Sequence, residues 1–462
     1  MEHKFKILDC WIDEHVLLEN LAEEKYVFNL HSDFANEKLG RYSLLGSQPF
    51  ITFENFEDEI VIKNDNGEVI KKTADPFVEM KKLLQQYKIS FNSELPFIGG
   101  AVGYFGYDNY CFLEEVENCN IDDIAIPDSF WGFYDKVYIL DHKKQQITLS
   151  AINYDGKQNL DKAISNMVDV VNKAQNESLK NTEYYAENFS CNMSKDYYVK
   201  AIDKIKNYIE SGEVYQVNFT QRFSCDFKGE PLAFYHNLKR INPAPFSGYI
   251  DTGKGFIISS SPERYLEIRN NKIETRPIKG TISRSQDCVI DLENRNKLFN
   301  SEKDKSELLM IVDLERNDLG RIAVDGSVKV EELFLIESYA TVHHLVSSIT
   351  AEIAEGLDVI DCIKATFPGG SITGAPKIRA MEIIEELEPT KRKVYTGALG
   401  YIGFNNVADL NIAIRTVVIN DDKAYFQVGG GIVWDSNAES EYNESLVKGK
   451  ALKKALMGDF NI

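Results

Sequence analysis

ADLNIAIRTVVIN (408–420) and KAYFQVGGGIVW (423–434) follow one another with two aspartates between them and no helix. β-branched and aromatic residues fill both runs, so both read as strands. The same pattern recurs upstream in GFIISSS (255–261) and YLEIRN (265–270), and throughout the first 155 residues: YVFNLHS (26–32), ITFENF (51–56), EIVIKN (59–64) and VYILDHKKQQITLSAINYD (137–155). Helical periodicity is confined to a few stretches. In 158–175, Leu160, Ile164, Met167 and Val171 share one face. Ser194 reads as the N-cap of a helix with Tyr198, Ile202, Ile205 and Ile209 as its buried stripe. Further helices are expected over 301–316, 357–366, 375–387 and 439–455. Strands and helices do not alternate regularly, which predicts an α+β fold with large antiparallel sheets. Residues 1–155 read as an N-terminal β-rich subdomain, 156–190 as a helix and linker (the linker in the aperiodic NESLKNTEYYAENFS), and 191–462 as the main, site-bearing domain.

Composition narrows the function classes. A hydrophobic share of 43% and a charged share of 27% describe a globular protein, and no apolar run reaches membrane-span length. The start, MEHKFKILDCW, lacks the apolar core of a signal peptide. Seven scattered cysteines, never in a CxxC pair, predict reduced thiols in a cytoplasm, with neither a disulfide framework nor a cysteine zinc site. A net charge of −20 repels nucleic acid and anionic membranes. It also repels a polyanionic small substrate, which would need local neutralisation by Lys, Arg or a metal ion.

Several positions invite chemistry. Lys279, in RPIKGT (276–281), is a cation between Ile278 and Gly280, where partial desolvation would lower its pKa and make it a nucleophile; an exposed strand lysine is the alternative. PGGSITGAPK (368–377) runs into a helix but carries Ala375 where a P-loop has lysine, leaving anion binding or a tight turn. Glu307 and Glu444 offer oxygen ligands suited to Mg²⁺, although spacing alone does not bring them together, and Glu444 shares a helix face with Lys448. His343 and His344 face opposite ways in a strand, so at most one enters a site. Arg415 in an apolar strand needs an anion, and the triplet Gly429-Gly430-Gly431 lets backbone N–H groups approach an oxyanion. GAVGYFGY (100–107) echoes GALGYIGF (397–404), either as two packed strands or as a duplicated half-domain.

Taken together, YQVNFTQRF (215–223), SSSPERY (259–265), RPIKGT (276–281), ELLMIVDLERNDLGR (307–321), HHLVS (343–347), FPGGSITGAPKIRAMEII (367–384), VYTGALGYIGF (394–404), DLNIAIRT (409–416) and GGGIVWDSNAESEYNE (429–444) resemble the chorismate-utilising enzymes. The resemblance covers about residues 195–455, with weaker matches at LHS (30–32), GRYSLLG (40–46) and GGAVGYFGYD (99–108). It implies a sandwich of antiparallel sheets with helices outside. It further implies Mg²⁺ held by Glu307 and Glu444, and Glu263 as the acid that protonates the departing C4 hydroxyl. By position, Gly280, Thr281, His344, Tyr395, Arg415, Gly429, Gly430, Gly431 and Lys448 would line the chorismate pocket.

Branches of the family differ at single positions. Anthranilate-forming members carry a small residue in place of Lys279, and isochorismate- and salicylate-forming members carry a water-activating lysine near Gln216. PIKGT is similar to the aminodeoxychorismate-forming branch, whose lysine adds covalently to C2 of chorismate before ammonia enters at C4. That resemblance implies ammonia from a separate glutamine amidotransferase subunit, and a product destined for p-aminobenzoate and folate. An anthranilate-forming enzyme and a non-catalytic chorismate-binding protein are the alternatives. Relatives also bind tryptophan between the N-terminal sheet and the larger domain, where Ser32, Leu39, Gly40, Arg41, Tyr42, Pro245, Phe246 and Ser247 fall in this chain.

Overall fold

A computed structural model describes residues 2–32, 40–91, 93–180, 182–339 and 342–458. Two twelve-stranded sheets face each other, each an eleven-strand path with one further strand beside it, 374–375 against 216–229 in the first and 329–338 against 342–352 in the second. One runs, from edge to edge, through strands 2–8, 146–153, 136–141, 42–46, 28–31, 246–251, 256–261, 416–420, 423–432, 216–229 and 184–191. The other runs through 278–283, 342–352, 272–276, 264–269, 408–412, 398–403, 100–105, 129–134, 51–56, 59–64 and 69–73. Between them lies an apolar layer fed by both, with Phe28, Ile139 and Ile257 from the first and Val102, Phe130 and Leu399 from the second. Helices cover the outer faces. Helix Glu302–Gly320 packs on the second sheet through Leu308 and Val312, and helix Ala438–Leu456 on the first through Leu452 and Leu456. This is the expected α+β sandwich with helices outside.

The opening run of sequence behaves differently from its reading as one strand. Ala408–Ile412 belongs to the second sheet and Thr416–Asn420 to the first, so the chain changes sheets between them. Arg415 sits at that corner with φ +49°, a conformation that lifts it out of either ladder. A second corner lies between Phe256–Ser261 and Arg264–Arg269 and contains Glu263. The corners hold each other: Ile412 N donates to Glu263 O at 3.0 Å, and Ser260 N to Arg415 O at 3.1 Å. Continuous apolar patterning hides such a switch, because both halves are buried.

In each sheet the strands from the first 155 residues form one contiguous block and the later strands another, joined where 28–31 pairs with 246–251 and where 100–105 pairs with 398–403, so both sheets run on across the expected boundary. Part of the expected linker is itself a strand, Tyr184–Cys191, paired among the described residues only with Gln216–Gly229. It reads as aperiodic because it is an edge strand whose register shifts between Glu187 and Ser190. The two echoing segments are direct antiparallel neighbours, with Gly400 opposite Gly103 and Gly403 opposite Gly100. Ser194 caps its helix by accepting from Tyr197 N. Among the described residues no helix is long and apolar enough to cross a membrane.

Candidate functional site

Lys279 lies on strand Ile278–Ser283, against helix Glu302–Gly320. Its pairing partner is Leu345, whereas Thr281 pairs with His344; Gly280 is the extra residue of a bulge. Gly280 has φ +72°, and a Cβ there would stand 2.9 Å from both Asp304 and Leu298, so only glycine fits without strain. The Lys279 ammonium donates to the Ser371 carbonyl at 3.3 Å. Burial pushes its pKa below the usual lysine range, opposed by the nearby carboxylates of Glu263, Glu307 and Glu315.

Glu263 is buried at its corner and accepts weakly from Ile278 N at 3.5 Å. Burial raises its pKa, while a hydrogen bond from Ser371 and the charge of Lys279 work against the rise. Glu307 is likewise pushed up by burial, against the pull of Lys279 and Lys303. Glu444 goes the other way: burial opposes, but Lys448, Lys303 and Lys279 hold its carboxyl below the usual range. Two lysines therefore act on both glutamates, which the tertiary structure brings together across 137 positions of sequence (444 less 307).

The glycine triplet forms the floor. Lys448 Nζ, Glu441 Oε2 and Glu444 Oε1 lie 3.3, 3.5 and 3.8 Å from where a side chain on Gly430 would begin, so the absence of one opens this space. Lys448 donates to the Gly429 carbonyl at 3.0 Å and pairs with Glu444 at 2.9 Å. Beside Gly431, the buried Gln216 amide has neither its oxygen nor its nitrogen hydrogen-bonded among the described residues. A buried amide with both ends unmet is costly unless a ligand meets it.

On the flank, the Thr281 hydroxyl and His344 Nδ1 are 2.8 Å apart. Burial, helped by Arg415, pushes the His344 pKa down to about 3, so its ring is neutral. His343 turns away to Asp291 and Ser338, as alternation requires. Arg415 contacts Asn242 Oδ1 at 3.3 Å and has no carboxylate within ion-pair distance among the described residues. Burial alone lowers its pKa. A shielded guanidinium without a counter-ion is a seat for a ligand's carboxylate. Tyr395 stands on the Arg392 side; its hydroxyl makes no hydrogen bond among the described residues, and burial raises its pKa.

The sequence reading missed Ser371, Glu441 and Glu315. Glu441 was legible, being three residues from Glu444 on one helix face. Glu315, buried and bonded to Thr275 at 2.8 Å, lies two turns beyond Glu307, and nothing local marks it. PGGSITGAPK proves to be a structural turn: Gly374–Ala375 pairs with Gln216 and Val217, and Asn218 N donates to Thr373 O. A separate cavity of about 360 Å³ is lined by Ser32, Gly40, Arg41, Tyr42, Pro245, Phe246 and Ser247; Leu39 lies outside the described residues. The Ser32 hydroxyl is buried there without a hydrogen-bond partner among the described residues.

A sandwich whose corners carry an acid and a cation around a shielded lysine belongs to a known class. The chain is a member of the chorismate binding enzyme family, whose model matches residues 36–454. More particularly, it is 40% identical to aminodeoxychorismate synthase component 1 of Escherichia coli (strain K12) over 438 residues, 94% of each chain. It is 37% identical to anthranilate synthase component 1 of Acetivibrio thermocellus, covering 95% of this chain and 92% of that one. The crystal structure of anthranilate synthase component I from Streptococcus pneumoniae TIGR4 superposes with a TM-score of 0.81 at 32% identity, covering 91% and 94%.

Proposed function

We propose that this chain has the activity of its component 1 relatives, replacing the C4 hydroxyl of chorismate by ammonia to give 4-amino-4-deoxychorismate. Relatives named for either product match at similar identity, 40% and 37%, so overall likeness separates them little. Lys279 carries the choice: a partly shielded amine beside Glu263 and Ser371, where the anthranilate-forming branch has a small residue. Gln216 in place of a lysine argues against water as the nucleophile.

In this reading Arg415 and the glycine floor hold the carboxylates of chorismate. Glu307 and Glu444, with Glu441 near, supply an all-oxygen donor set suited to Mg²⁺. Lys303, 3.8 Å from Glu307, and Lys448, 2.9 Å from Glu444, are the cations paired with these carboxylates. The ion, when bound, would neutralise a substrate carboxylate. The neutral Lys279 amine attacks C2, the two conjugated ring double bonds shift, and the C4–O bond breaks as Glu263 gives its proton to the departing hydroxyl. Ammonia then adds at C4, both double bonds return, and the C2–N bond to Lys279 breaks. The proton shed by the new amine restores Glu263, so chorismate and ammonia become aminodeoxychorismate and water. A separate glutamine amidotransferase subunit would deliver the ammonia.

Incubation with chorismate, Mg²⁺ and ammonium at alkaline pH tests this. Aminodeoxychorismate should form and should cease on chelation of the metal. Fluorescent anthranilate or isochorismate as main product would sink the assignment, and no turnover at all would favour a binding protein. The cavity of Ser32 and Arg41 would hold a free amino acid such as tryptophan, read by saturable calorimetric binding that Ser32→Ala weakens.

A further inference from the structure

Four of the chain's seven histidines lie in one cluster with Glu14, beneath helices 14–21 and 231–241 and away from the site above. His15 and His236 stack edge to face at 4.2 Å; His31 and His142 stand perpendicular, 5.4 Å apart. We propose that Glu14, His31 and His142 form a binding site for a borderline divalent transition-metal ion, of which Zn²⁺ is the type.

The donor atoms, Glu14 Oε2, His31 Nδ1 and His142 Nε2, lie within 4.8 Å of one another. They come from three separate elements: the first turn of the helix, the end of strand Phe28–His31 and the residue after strand Lys136–Asp141. The Ser43 hydroxyl stands where these atoms converge, 2.7 Å from His31 Nδ1, 2.7 Å from His142 Nε2 and in short contact with Glu14 Oε2. Zinc bonds to nitrogen and oxygen are about 2.0–2.2 Å in a tetrahedral set, so an ion at that point needs the serine rotated aside and the hydrogen bond between His31 Nδ1 and Glu14 Oε2, 2.7 Å, opened.

Lys239 pairs with the other Glu14 oxygen, Oε1, which orients Oε2 toward the histidines. The Trp11 ring lies edge-on to His142 at 5.2 Å and fixes its plane. Two imidazoles and one carboxylate select Zn²⁺-like ions over Mg²⁺. Because His31 also lines the cavity with Ser32 and Arg41, the ion would pin one wall of that cavity.

The metal-free full chain, titrated with Co²⁺ under excess Mg²⁺, should take up one equivalent with a visible absorption band that Zn²⁺ abolishes. His142→Asn should weaken uptake roughly tenfold or more, the scale seen when a metal's immediate surroundings are damaged. Ser43→Ala, which clears the central point, should bind at least as tightly as the parent. Glu444→Gln should keep the band, separating it from the acidic site. Absence of saturable uptake by the parent, equal uptake by His142→Asn, or loss of the band in Glu444→Gln would each overturn the proposal.

Discussion

At the scale of single residues, the proposed reaction turns on two groups that burial moves in opposite directions. Burial lowers the pKa of Lys279 and raises that of Glu263, which narrows the gap between amine and acid. Because the step needs a neutral Lys279 and a protonated Glu263 at once, the rate should follow a bell-shaped pH profile whose two limbs belong to this pair. Glu263→Gln should remove the dependence on the acid and cost about 10²- to 10⁴-fold in kcat. Lys279→Ala should abolish or severely slow aminodeoxychorismate formation while leaving chorismate binding measurable by calorimetry. A mutant with full ammonia-dependent activity would dismiss the covalent step. Most of these residues were legible from motif resemblance, whereas Ser371 and Glu315 were not, since their roles come from contacts made across the chain.

Among elements, the bulge at Gly280 and the two sheet-switching corners decide where side chains point. Gly280→Ala forces a Cβ into φ +72° and against Asp304 and Leu298. The expected cost is about 1–3 kcal/mol of stability, seen as a lower Tm, with a further loss of kcat/KM because Lys279 and Thr281 are re-aimed. Activity unchanged at a lowered Tm would confine the bulge to a structural part. The hairpin Thr416–Asn420 to Lys423–Ile432 was readable from its residues. The corner before it was not, for an apolar run buried in one sheet looks the same as one that passes between two.

For the molecule as a whole, the early and late strand blocks join edge to edge in both sheets and share one apolar layer between them. Phe130, fully buried between the sheets, should cost about 3–5 kcal/mol when changed to alanine. Loss of activity and loss of structure on heating should then coincide, and two separate transitions would contradict the shared core. Asp108 adds a pH lever. Burial, with Asp128 adding, raises its pKa to about 7 from the ordinary 3.8, so the folded state binds its proton more tightly than the unfolded one. This group's contribution is favourable below about pH 4 and lessens as pH rises to about 7; Asp108→Asn should stabilise at pH 8 more than at pH 4, read from denaturant midpoints.

Residue types and their order along the chain were enough for the fold class, because alternation and turn chemistry are local. Order was also enough for the family motifs and for proposing Lys279 as the residue on which the reaction depends. Only the tertiary structure set Glu307 and Glu444 within the influence of the same two lysines, placed Arg415 and Glu263 on facing corners, and shared the sheets between both halves of the chain. Those relations depend on which strand pairs with which across hundreds of residues, and hydrophobic patterning is the same whichever buried neighbour a strand acquires.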